Sequence, residues 1–293
     1  MSADPLLDDL RSLARRLATE DIVLTVGGGF GLLLRTRMVA ERGAATLSEA
    51  RLPARSTGDI DCFLSVDVIT DGGKTQAVRN AIDALGYSPK PNAKNFQFVR
   101  SIDVYGQPRE IGIDLLTGPI PAESLSRVKM SKPRVAPKGS SGLHAYLTDE
   151  AFAIAFATHH VNIGDAEGQV DVLIPHPFAF LILKLFALRD RLQKANDAKQ
   201  KYHAFDLYAI WADMSPDEYH EVRDLVHEHS GHPVVREAAK IVATHFAQMD
   251  APGAIALVEQ AGAHGHHPTL DAVERFMRDL LELFAVAEES GRR

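Results

Sequence analysis

Apolar positions along this chain follow two different periods, and the change between them divides it. Up to residue 174, short β-branched runs alternate with amphipathic stretches. From Pro175 onward the apolar positions recur at helical spacing and only helices are expected. Leu6, Leu7, Leu10, Leu13, Ala14 and Leu17 fall on one side of a helix over 4–17. Ile22-Val23-Leu24-Thr25-Val26 predicts a short buried strand. A helix over 31–41 follows, through Leu32, Leu33, Val39 and Ala40. Residues 43–55, with small side chains and a proline, predict a loop or short helix. Next come a strand over 59–64, a helix over 74–85 stopped by Gly86, and strands over 96–102 and 109–116. Residues 152–161 and 169–174 predict strands or strand–helix pieces. Helices are expected over 177–194, 201–212, 216–229, 234–249, 254–261 and 270–289. The predicted fold is α/β (α+β): a mixed-sheet domain over 1–174, then a helical bundle domain over 175–293.

The polar residues that interrupt this pattern carry the candidate chemistry. Val26-Gly27-Gly28-Gly29-Phe30-Gly31 joins a strand to a helix, which sets unpaired backbone N–H groups at a helix start, where phosphate binds. Asp59 and Asp61 lie two apart on a strand and so on one face, with Ile60 and Cys62 on the other. Two neighbouring carboxylates repel and call for a cation, and Mg²⁺ favours a few carboxylates together with phosphate oxygens. A phosphate-binding turn beside an Asp-x-Asp metal site is what a nucleoside triphosphate requires. The alternative is a chain-reversing glycine turn and two surface aspartates. Asp114 sits in a further apolar run, Ile111-Gly112-Ile113 before it and Leu115-Leu116 after it. A charge there is costly unless paired or metal-bound, so it is a natural third carboxylate; otherwise it caps the turn at Thr117-Gly118-Pro119.

Composition narrows the setting. Of 293 residues 45% are hydrophobic and 24% charged, as in a soluble globular protein. No apolar run reaches membrane-spanning length, the N-terminus lacks a signal peptide's character, and the single cysteine excludes an intramolecular disulfide. A cytoplasmic protein with no membrane partner is therefore expected. The net charge of −7 provides no global field for nucleic acid, so such contact must come from a local patch. Arg127, Lys129, Lys132, Arg134 and Lys138 form one: either a loop that tracks a phosphate backbone or a solvated loop.

In the helical half, Lys184 and Asp206 each interrupt a strongly apolar helix. On adjacent antiparallel helices they would face one another, either as a charge available to a triphosphate or as an ion pair locking two helices. His227, His229, His232 and His264-Gly265-His266-His267 lack convincing ligand spacing and read as surface histidines. Of His159 and His160, in a predicted strand, only one can face inward.

The glycine turn followed by a helix, then Arg55-Ser56-Thr57-Gly58-Asp59-Ile60-Asp61, resembles the nucleotidyltransferase superfamily of polymerase β type. The later Lys184, Arg189-Asp190-Arg191, Lys201 and Asp206-Leu207-Tyr208 are similar to its AbiEii-type branch. That branch holds toxins of abortive-infection toxin–antitoxin pairs and their mycobacterial MenT-type relatives. The resemblance spans about residues 20–210. It implies a nucleotidyltransferase core that moves a nucleoside monophosphate from an NTP to an acceptor, the 3′ end of tRNA, with a cognate antitoxin as partner. Gly28 and Gly29 would hold the triphosphate. Asp59, Asp61 and Asp114 would bind Mg²⁺, or Mn²⁺ in its place, and Asp114 would activate the attacking hydroxyl. Lys184 would touch the triphosphate, and Asp206 would orient that lysine or the base. Arg55 would stabilise the same charge or pair with the aspartates. The alternatives are transfer to a small molecule or protein, and a nucleotide-binding regulator without turnover.

Overall fold

The structure, a computed structural model, describes residues 4–48, 57–93, 95–104, 106–139, 142–194, 200–263 and 268–289. Arg55 and the His264–His267 cluster lie outside the described residues. The chain forms two compact units, Met1–Arg35 with Arg55–Pro175, and Thr36–Ala54 with His176–Arg293. The segment 36–54, which a division after residue 174 counts with the sheet, thus groups with the helices. Hydrogen bonds account for this: the Thr36 hydroxyl donates to Asp213 at 2.8 Å, and the Leu47 N–H donates to the Met214 carbonyl at 2.8 Å.

The first unit contains helix α1 (Pro5–Ala18), strand β1 (Thr25–Val26), the start of helix α2 (Gly28–Arg42), β2 (Asp59–Phe63), α3 (Val66–Ile69), α4 (Gly72–Ala84) and β3 (Ser88–Pro89). Then come β4 (Gln97–Val104), β5 (Gln107–Thr117), β6 (Val128–Ser131), β7 (Arg134–Pro137), β8 (Ala145–Leu147), β9 (Thr158–Asn162) and β10 (Asp171–Pro175). The strands make one mixed sheet in the order β6-β7-β8-β5-β2-β1-β10-β9, with β4 also on β5 and β3 on β4. β2 and β5 run parallel, as do β1 and β10, and β5 and β8. A mixed α/β sheet followed by a helical region is therefore the architecture of this chain.

Period-two patterning gives the sheet one dry face. Ile60, Cys62, Phe98, Ile113 and Ala145 are fully buried, and Leu115 and Val135 nearly so. Helix α1, which packs against α4 and β2, turns Leu10, Leu13 and Leu17 inward. It is tied down by a buried polar clamp: Asp9 accepts from the Tyr87 hydroxyl at 2.7 Å and from the Arg100 guanidinium at 2.7 and 2.6 Å.

Three local expectations need correction. The strand predicted over 22–26 shrinks to Thr25–Val26, because only those residues find ladder partners, on β2 and β10. The helix predicted from Gly31 begins at Gly28; glycine weakens a helix interior but a first turn asks little of propensity. The basic run expected as a loop is largely an antiparallel hairpin, β6 with β7, held by Val128, Val135 and Ala136 on its buried positions.

The second unit is helical: α5 (Pro177–Leu192), α6 (Gln200–Ala212), α7 (Pro216–Glu228), α8 (Pro233–Phe246), α9 (Pro252–Ala263) and α10 (Leu270–Glu289). Its starts are strongly signalled. Ser215 and Glu218 make a reciprocal capping box on α7, and His176 and His232 accept from backbone N–H groups at the starts of α5 and α8. The core is aromatic: Phe276 meets Tyr208, Trp211 and Phe246 at ring separations of 5.4, 5.7 and 5.7 Å. The Trp211 indole N–H donates to Asp279 at 3.0 Å.

Candidate active site

Parallel pairing of β2 with β5 sets Asp61 directly opposite Asp114, and Asp59 opposite Gly112. Residues opposite one another in a ladder share a face, so all three aspartates stand on the face turned away from the dry core. Asp61 and Asp114 are half-buried and Asp59 is exposed. Gly112 has no side chain, which leaves room beside Asp59: a Cβ there would lie 3.6 Å from the Asp59 Cβ.

The start of α2 abuts this group. The Gly27 N–H donates to the Asp61 carbonyl at 2.9 Å. Gly28 has φ +62°, and a Cβ on it would fall 1.6 Å from Asp61 Oδ2. The carboxylate therefore occupies the space a side chain at residue 28 would need. The first N–H groups of α2 have no partner within the helix and lie at its positive end. Gly28 is half-exposed at this start, whereas Gly29 and Phe30 are buried.

Two further side chains complete the surroundings: Gln97, which the sequence did not single out, and Thr57 of the Arg-Ser-Thr-Gly-Asp-Ile-Asp element. The Gln97 amide, opposite Asp114 on β4, donates to Asp114 Oδ2 at 2.7 Å. The Thr57 hydroxyl donates to Asp59 Oδ1 at 2.6 Å. Burial raises the Asp114 carboxyl above its ordinary range; the Gln97 hydrogen bond opposes this, the Asp59 charge adds to it, and Lys90 pulls the other way. Burial, then Asp61 and Asp114, push the Cys62 thiol far up, so it stays protonated behind the site. Gln97 was legible as the polar member of an alternating strand, but its partner was not, since strand pairing is non-local.

Among the described residues no three His, Cys, Asp or Glu side chains are gathered into a ready-made metal cage. Asp61 and Asp114 in register, with Asp59 one step along the same face, instead fit a hard ion that brings phosphate oxygens with it. Mg²⁺ is ordinarily bound in that way, through one or two carboxylates plus substrate.

In the helical unit, Lys184 on α5 and Asp206 on α6 do face one another. The ammonium donates to Asp206 Oδ2 at 2.7 Å, and the side chains are only 6% and 4% exposed. His203 Nδ1 lies 3.9 Å from the same oxygen. Of the histidines, His159 on β9 is half-buried and His160 exposed. His227 is exposed, and His229 lies with its ring 6.2 Å from that of Phe178.

No protein-family model and no curated protein matches the chain. Among solved structures it is similar to the crystal structure of the Megavirus polyadenylate synthase, at 12% identity and a TM-score of 0.35, over 81% of this chain and 38% of that one. The chain thus spans well under half the length of that protein, and a likeness so slight carries no argument. Among the described residues no helix is long and apolar enough to cross a membrane.

Proposed function

We propose that this protein is a divalent-metal-dependent nucleotidyltransferase that moves a nucleoside monophosphate from an NTP to an acceptor hydroxyl. The observation that supports this best is the register of Asp61 with Asp114 beside the glycine-lined start of α2. Carboxylates and unpaired N–H groups then border one place, as a metal-bound triphosphate demands. A divalent ion held by Asp59, Asp61 and Asp114 would lower the pKa of the attacking hydroxyl and offset charge on the transferred phosphoryl group. Gln97 holds the Asp114 carboxylate before substrate arrives, and the backbone hydrogen bond from Gly27 anchors the strand residue that carries the Asp61 carboxylate. Gly28, lacking a side chain, lets the Asp61 carboxylate lie against the start of α2. The acceptor oxygen bonds to the α-phosphorus, the bond to the β-phosphate oxygen breaks, pyrophosphate leaves, and the hydroxyl proton passes to Asp114 or to water.

The resemblance of Lys184, Arg189-Asp190-Arg191, Lys201 and Asp206-Leu207-Tyr208 to the AbiEii-type branch extends this to a toxin that modifies the 3′ end of tRNA and is restrained by an antitoxin. Incubation with NTPs radiolabelled at the α-phosphate, Mg²⁺ and total tRNA tests the reading. Label should pass to RNA with the native chain and not with a folded Asp61→Asn variant. Equal labelling by the two would refute it.

A further inference from the structure

The face of the sheet that carries the aspartates does not end with them. Along the ladder, Leu116 on β5, two residues beyond Asp114, pairs with Tyr146 on β8. Tyr146 pairs with Arg134 on β7, and Arg134 with Ser131 on β6. Lys129 pairs with Ala136, which is two residues from Arg134. Paired residues share a face and residues two apart share it too. Asp61, Asp114, Leu116, Tyr146, Arg134, Ser131 and Lys129 therefore form one row on one side of the sheet, running from the carboxylates to its edge. With strands about 4.8 Å apart, three strand steps place Lys129 roughly 14 Å from the Asp114 strand.

The chemistry changes in order along that row. Tyr146 leaves 41% of its surface exposed, and its ring meets Phe96 at 5.9 Å where β8 adjoins the start of β4. Arg134 and Lys129 are exposed, and so are the nearby Lys132 and Lys138. Among the described residues none of these four cations has a carboxylate partner. Four unmatched cations on a hairpin are unusual in a chain of net charge −7. An exposed aromatic ring followed by cations is how single-stranded nucleic acid is gripped: bases stack on rings, and phosphates follow the positive charge.

Resting on the nucleotidyltransferase reading above, we propose that this row is the acceptor track. A single-stranded polynucleotide stacks a base near its 3′ end on Tyr146 and lays its phosphates along Arg134 and Lys129. Its terminal hydroxyl is thereby aimed at Asp114 and Asp61. A small-molecule acceptor would leave both the ring and the cations without a task, and an acidic protein would leave the ring without one.

Anisotropy of a short fluorescein-labelled single-stranded RNA, with the full chain and no NTP, tests the track apart from catalysis. The native protein should bind with a steep salt dependence. Tyr146→Ala should weaken binding roughly 5- to 150-fold, as expected for loss of one stacked base, and Tyr146→Phe should restore it. Lys129→Ala with Arg134→Ala should lower the slope of log affinity against log salt by roughly 0.7 for each phosphate left without its cation. Because no NTP is present, this readout is independent of transfer, and failure of the labelling assay alone leaves the track standing. The proposal is overturned if the native chain does not bind RNA, if the Tyr146 and cation variants bind it unchanged, or if poly-glutamate competes as well as RNA does.

Discussion

Asp61 and Gly28 share one space: the carboxylate Oδ2 of the first lies 1.6 Å from where a Cβ on the second would be. Residue 28 also has φ +62°, where an ordinary side chain costs about 1–2 kcal/mol. Gly43 has the same φ but open space around it. Gly43→Ala should therefore show the backbone cost alone. Gly28→Ala should lower stability further and displace Asp61, with nucleotidyl transfer lost. Thermal melts of the two variants beside the labelling assay check this; equal melting and full activity of both would contradict it.

Lys184 and Asp206 make a nearly sealed ion pair between α5 and α6. Removing one partner strands the other charge in the core, at a cost of about 3–5 kcal/mol, whereas replacing both with apolar residues of similar size is often nearly neutral. Asp206→Ala should thus destabilise the protein strongly, and Lys184→Met with Asp206→Leu much less. Urea unfolding of the single and double variants measures the difference.

His144 and His245 both have pKa values lowered from the usual 6.5. Burial is the main cause at each, and the Arg134 charge adds to it at His144. A lowered folded value means the unfolded chain takes up protons first. Their contribution to stability is complete above pH 6.5 and is lost as pH falls through the lower folded values. Urea midpoints should fall on going from about pH 7.5 to about pH 5.5. His245→Gln should flatten that fall without changing its sign.

Cys62 is fully buried behind the aspartates, and its thiol is held protonated. Reaction with a thiol-specific chromogenic disulfide should be negligible in the native protein and fast once it is unfolded. Rapid native labelling would show that β2 opens, or that the thiol is not where the fold sets it.

The sequence makes the three aspartates legible because strand alternation is a local property. Asp59 and Asp61 must share a face, and Asp114 is conspicuous as a charge among Ile113, Leu115 and Leu116. Helix α10 is legible to its limits because its apolar period is uninterrupted over Leu270–Glu289. What is hidden is everything set by pairing at a distance: that Asp114 stands opposite Asp61 and Gln97, that Tyr146 stands opposite Arg134, and that 36–54 belongs with the helices. The hairpin of β6 and β7 is masked by its own charge, since its lysines and arginines signal solvent while Val128 and Val135 supply the buried positions. The purpose of Gly28 is hidden too: it suggests a phosphate turn, yet the structure shows it also clearing room for a carboxylate.

If Asp61 and Asp114 act as one metal–nucleotide site, paramagnetic resonance of Mn²⁺ reads that directly. The free-ion signal should fall when native protein is added together with a non-hydrolysable NTP, and far less without the nucleotide. Asp61→Asn and Asp114→Asn should each abolish that fall while the proteins remain folded. If both variants take up Mn²⁺ and nucleotide as the native chain does, these two aspartates are not the metal site.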